Sequence, residues 1–285
     1  MKIVLIIVML FSSIQAKSLF SNDAQANTSK YMKSLRDLII STQKTRGLTN
    51  AYLNGDEYAL LTLFGTTNDM KDAIGKMESL KISSDPLIEG KATLISRELT
   101  SLNREAIKST NTQEIFNRYT DLIGQTLLLA QTISRHASKK SSNFGKESAT
   151  LMMENLLPFA EHIGIIRGMG AGFAAKKTSS KKDRSILISE LAKIQAFNQN
   201  IQSITNKIIT KYNDKIQTSI INEKLKKLNT ATKDYLVLTQ KNILKDTISY
   251  NSSEYFNKGT DIITQTMSIY DDINKAVLID SEGWF

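Results

Sequence analysis

The chain has 285 residues, and 37 lysines and arginines against 28 aspartates and glutamates give it a formal net charge of +9. It contains no cysteine, which excludes disulfides and a lipid-attachment cysteine alike, so its hydrophobic core alone must hold it together. Its two prolines, Pro86 and Pro158, and its sparse β-branched alternation point to long helices and away from sheet.

The first residues read as an export signal. Lys2 is a short basic region, Ile3 to Phe11 an apolar run, and Ser12-Ser13-Ile14-Gln15-Ala16 a signal-peptidase site. The run is too short to span a bilayer, so residues 1–16 are expected to be a cleaved secretory signal and the mature protein to be periplasmic or secreted. Losing Lys2 with it takes the charge from +9 to +8. No later segment reaches the roughly 18 uninterrupted apolar residues of a membrane helix.

Four helical stretches are expected in residues 17–137. Thr28 to Leu53 stops at Asn54-Gly55, and Glu57 to Leu80 follows. Asp85 can cap a third helix with Pro86 at its first position, running to about Ser109. A fourth starts at Asn111 or Thr112 and ends near His136. The Ser/Lys/Gly-rich residues 138–145 read as a linker. Residues 146–285 repeat the scheme with Lys146 to Ala175, Asp183 to Tyr212, an interruptible Lys215 to Ile248, and Ser253 to Leu278. In the sixth stretch Ile194, Phe197, Ile201, Ile204 and Ile208 form a seam at alternating spacings of three and four.

The two halves are related. Asn111-Thr112-Gln113-Glu114-Ile115-Phe116-Asn117-Arg118-Tyr119-Thr120-Asp121 matches Asn251 to Asp261 without a gap, at an offset of 140. More faintly, Leu35, Arg46-Gly47 and Tyr52 match Leu156, Arg167-Gly168 and Phe173 at an offset of 121. The offsets differ by 19 residues, which lengthens the middle two helices of the second copy by about ten each. The expected fold is all-α: two related up-down four-helix bundles stacked in tandem.

The arginine-glycine steps are the main functional signal. Glycine inside a helix costs about 1 kcal/mol relative to alanine, so Gly47 and Gly168 serve close approach of a helix or a ligand. Beside each, Arg46 and Arg167 are poised for an anion, and two such sites in one chain suggest a small anion held between helices. The bland reading is a salt bridge to Asp121 and Asp261, which occupy matching places in the repeat. Gly164, Gly168 and Gly172 line one helix face, for packing and as the floor of a ligand site. Gln43, Thr49 and Asn50 could complete a ligand's hydrogen bonds or be ordinary surface residues.

Other chemistry is not signalled. His136 and His162 lie apart with no carboxylates at metal-ligand spacing, and Glu161-His162 lacks the rest of a zinc-protease motif. There is no nucleophile elbow and no phosphate-binding glycine loop, so no enzyme, cofactor or metal is expected. The basic residues are interleaved with acids along helices, with no nucleic-acid-binding pattern.

The segments Gln43-Lys44-Thr45-Arg46-Gly47-Leu48-Thr49 with Ala51-Tyr52-Leu53, Gly164-Ile165-Ile166-Arg167-Gly168-Met169-Gly170, and Ser253-Glu254-Tyr255-Phe256 with Thr260 resemble the NIT domain, the nitrate- and nitrite-sensing family of bacterial receptors. The resemblance spans about residues 28 to 275. It implies stacked four-helix bundles that bind nitrate or nitrite between the first helices of the halves, with Arg46 and Arg167 on the anion. The family usually has glutamate where this chain has Thr45, and its members are normally fused to an output domain, of which no sign is seen here. The expectation is a sensor that signals through a separate membrane receptor or kinase, with a homodimer open. The alternative is a ligand-free helical adaptor that docks a membrane receptor.

Overall fold

The computed structural model describes residues 30–80, 86–139 and 141–281. The export signal of residues 1–16 and the capping role of Asp85 lie outside them. Among the described residues the structure is all helix, with one isolated bridge between Thr178 and Thr247. None of these helices is long and apolar enough to cross a membrane.

Helix α1 covers residues 30–53 and ends at Gly55, whose φ of 104° lets the Asp56 amide turn back to the Ala51 carbonyl. It is followed by α2 (Tyr58–Ser79), α3 (Pro86–Ala106) and α4 (Thr112–Ser138). Proline does open α3, and the Asn111 side chain caps α4 by accepting from the Glu114 amide.

Next comes one continuous rod in three parts: α5 (Asn143–Leu151), a π-helical turn (Met152–Leu156) and α6 (Leu157–Lys176). Ser142 caps it, and the helix begins at Asn143, three residues before the start expected from the sequence. The wide turn sits just ahead of Pro158, which has no N–H to offer the Glu154 carbonyl and would crowd it in a plain α-helix. Side chains satisfy the backbone there: Gln131 donates to the Met153 carbonyl and Asn155 to that of Thr150.

A capping box of Ser180 and Asp183 starts α7 (Lys181–Lys211). Then follow α8 (Thr218–Asn242) and α9 (Ser252–Ser281). The difference in length between the halves is uneven: α7 has 31 residues against 22 in α2, but α8 has 25 against 21 in α3. The loop after α8, nine residues against five after α3, adds four more, and α6 runs two residues further past its arginine than α1 does.

The buried seam of α7 is Leu187, Leu191, Ile194, Asn198, Ile201, Thr205 and Ile208, a strict alternation of four and three. Phe197 and Ile204, expected in it, are half-buried flanks. Asn198 takes the seam position by donating to Asn229 Oδ1 of α8 at 2.9 Å.

Helix α6 is the centre of the molecule, buried on nearly every side from Leu157 to Ala174. It packs against α7 and α9, and α8 packs against both of those. On its remaining side lies α1, which also meets α2 through Thr42 and Met70.

Candidate functional site

On α1, Gln43, Arg46, Gly47 and Asn50, with Asn54 just past its end, fall at i, i+3, i+4, i+7 and i+11, and so face one way. On α6, Glu161, Gly164, Gly168 and Gly172 do the same. The two faces meet with almost nothing between the backbones. A Cβ on Gly168 would lie 3.1 Å from the Gly47 Cα and 2.9 Å from the Phe116 ring. A Cβ on Gly47 would lie 2.6 Å from the Phe256 ring. Both glycines are therefore required by space, and their neighbours Arg46 and Arg167 are carried to the same level of the molecule.

Both arginines are buried, Arg46 at 0% and Arg167 at 2% exposure. Their settings are copies of each other. Arg46 lies over the Phe116 ring, 4.9 Å from its centroid, and donates from Nη1 to Thr120 Oγ1 at 2.9 Å. Arg167 lies over the Phe256 ring at 4.5 Å and donates from Nη1 to Thr260 Oγ1 at 2.9 Å. The sequence repeat thus reappears as a pseudo-twofold arrangement of Arg, Phe and Thr.

The copies differ in their counter-charge. Arg46 also donates to both oxygens of Glu161, at 2.6 Å from Nη1 and 3.3 Å from Nη2. Arg167 has no carboxylate partner among the described residues, and its Nε and Nη2 are buried without any acceptor. Those two N–H bonds form the side-on edge of the guanidinium, where they run parallel and can grip two oxygens of one anion. Burial lowers the Arg167 pKa to about 10; Tyr235 and Glu161 oppose the shift, and Arg46 adds to it. The group is still a cation at neutral pH.

The salt bridges weighed in the sequence, to Asp121 and Asp261, do not form; both aspartates are exposed. The other residues singled out divide three ways. Gln43 is fully buried against Gly164, where a Cβ would lie 3.1 Å from its Oε1 and 3.2 Å from Arg46 Nη2, and both of its amide atoms lack partners. Asn50 donates to the Gly168 carbonyl at 2.8 Å and so ties α1 to α6. Thr49 is buried on the α4 side, beside the Tyr119 hydroxyl.

Sequence reasoning missed Glu161, Phe116, Phe256 and the part played by Thr120 and Thr260. The last four had a signal: phenylalanine and threonine four apart stand in both copies of the repeat, on one helix face. His162, next to Glu161, turns away and bonds Glu190 Oε2 of α7 at 2.7 Å through Nδ1.

Comparison with known proteins gives two findings. The family model described as nitrate and nitrite sensing matches residues 37–278. The solved structure of the NasR transcription antiterminator is similar in fold, with a TM-score of 0.69 at 12% sequence identity, over 97% of this chain and 74% of that one. Among curated proteins none matches.

Proposed function

The chain belongs to the nitrate and nitrite sensing family, and on that premise we propose that it is an exported sensor that binds nitrate or nitrite between α1 and α6. In this reading the anion sits against the free edge of Arg167, with Arg46 Nε and the Gln43 amide as further donors and Gly47 and Gly168 setting how closely the two helices approach. Thr49 and Asn50 serve packing around it. The observation that carries the reading is that Arg167 Nε and Nη2 are buried without acceptors. An unsatisfied buried donor costs about 1–3 kcal/mol, and a charged one more, so such an edge is a standing demand for an anion.

Nitrate suits the site chemically. It is planar, carries one charge and offers three equivalent oxygens to donors on two helices. Binding would satisfy both sides of the α1–α6 crossing at once, and so would favour one spacing of these helices over others. We read the rods as two tandem four-helix bundles, 17–137 and 146–285, joined by 138–145, with the crossing between them. Occupancy would be read by a membrane receptor or kinase on the periplasmic side. The ligand-free adaptor reading calls for a salt bridge on each arginine; Arg46 has one, to Glu161, and the unpaired edge of Arg167 is what favours the sensor.

Thermal unfolding of the chain lacking its first 16 residues tests this, with graded nitrate, nitrite and chloride at constant ionic strength. A ligand at 100 times its dissociation constant adds about 2.7 kcal/mol of stability. Stabilisation by nitrate or nitrite, lost in Arg167→Ala and weakened in Arg46→Ala, is the expected result. No selective stabilisation of the unaltered chain would refute the reading.

A further inference from the structure

The two halves of the arginine site are matched except at one position. Ile40 stands in the first half where Glu161 stands in the second, by the same offset of 121 that relates Arg46 to Arg167. The result is one carboxylate for two guanidinium groups. Glu161 is itself buried, and gives both of its oxygens to Arg46. The charged side chains that act on Arg167 are Arg46 and Glu161.

We infer that Glu161 sets the charge of the anion this site accepts: by neutralising Arg46 it leaves a net charge of one, which selects monoanions and rejects dianions such as sulfate. The inference rests on the reading above, that the free edge of Arg167 is the anion site, and adds to it a residue and a rule of specificity.

The physical argument is one of charge balance under burial. A charge out of water must be matched, because the loss of hydration is recovered only when a partner of opposite sign is in contact. With Glu161 in place, a monoanion on Arg167 brings the group of Arg46, Arg167, Glu161 and ligand to zero. A dianion would leave one negative charge buried among Phe116, Phe256 and the glycine backbone, with nothing to answer it. Shape alone would not give this rule, because a tetrahedral dianion also offers pairs of oxygens to a guanidinium fork. Specificity here comes from the penalty placed on the wrong ligand.

Glu161 also explains why two buried arginines coexist. Like charges repel, and Arg46 acts on Arg167 in that sense. The carboxylate is bonded to Arg46 and acts on Arg167 in the opposite sense. It is a positioning and charge-setting group and does not need to touch the ligand.

The test is a titration by calorimetry of the purified chain with sodium nitrate, nitrite, chloride and sulfate at constant ionic strength, in the unaltered protein, E161Q, R46Q and the R46Q/E161Q pair. The unaltered protein is expected to bind nitrate or nitrite and not sulfate. E161Q keeps the shape of the side chain and raises the net charge to two, so its affinity for sulfate relative to nitrate is expected to rise at least tenfold. R46Q lowers the net charge to zero and is expected to lose nitrate affinity. Adding E161Q to it restores the charge of one, and is expected to recover at least tenfold of that loss while sulfate stays excluded.

An unchanged sulfate-to-nitrate ratio in E161Q would overturn the inference, as would sulfate binding by the unaltered protein as tight as nitrate. Should E161Q fail to fold, R46Q and the paired variant decide alone, and absence of recovery overturns it. Failure of the underlying reading looks different: the unaltered protein then binds neither nitrate nor nitrite.

Discussion

Gly47 and Gly168 touch backbone to backbone: a Cβ on the second would lie 3.1 Å from the Cα of the first. That contact brings α1 and α6 together at the level where each carries an arginine. It also leaves each glycine facing an aromatic ring of the opposite half, Phe256 for Gly47 and Phe116 for Gly168. Those rings are the ones on which the arginines rest. Helix spacing and guanidinium position are therefore one variable.

Replacing Gly168 by alanine forces a methyl group into the Gly47 backbone and the Phe116 ring. Overpacking of this kind costs about 1–3 kcal/mol. Gly168→Ala is expected to lower the thermal midpoint and to weaken nitrate-induced stabilisation together. Gly65→Ala, where a Cβ meets nothing within 4 Å, should do neither. Thermal melts with and without nitrate check both variants.

Arg167→Met separates stability from binding. Arg167 is buried with two donors that no protein group answers, and methionine fills similar space without them. The empty variant is expected to gain about 1–3 kcal/mol over the unaltered protein while losing all response to nitrate. Chemical denaturation measures the first and titration the second. A less stable variant would mean that Arg167 is already satisfied without a ligand.

The depressed pKa of Arg167 gives nitrate binding a ceiling in pH. The anion needs the cation, which is lost as pH climbs through about 10. Affinity is expected to be level below that range and to fall about tenfold per unit above it. The empty fold behaves oppositely with respect to this group. Its folded pKa lies below its unfolded one, so above about 10 the unfolded chain holds more protons and the burial penalty of Arg167 relaxes as pH rises. Arg167→Met should lack that relaxation. Titrations and melts across pH 8 to 11 check both signs.

Much of the fold was legible in the sequence because its signals are local. Asn54-Gly55, Pro86 and Asn111 mark helix ends by their own chemistry, and structure follows them. The Arg-Gly steps were legible too, since glycine inside a helix needs a reason. Glu161 was not, because its partner Arg46 is 115 residues away and no spacing rule links them. The α7 seam misled for a related cause. Asn198 looks polar in one dimension, but Asn229 of α8 answers it in three, so it goes inside and Phe197 moves to the flank.

The π-helical turn at Met152–Leu156 means that the rod carrying Arg167 holds one residue more than a plain helix would need over that stretch. Each residue of an α-helix advances the side chains by about 100°. The wide turn takes in the extra residue without that advance, so α5 and α6 keep the phase of a single rod. Forcing these residues into plain α-helix would turn α5 by roughly that angle and swing Phe144, Ser148 and Leu151 out of the interior while Arg167 kept its place. Deleting one of them would let the rod close into plain helix with both faces where they are, so the chain should tolerate the loss of one residue here far better than the loss of one within α6.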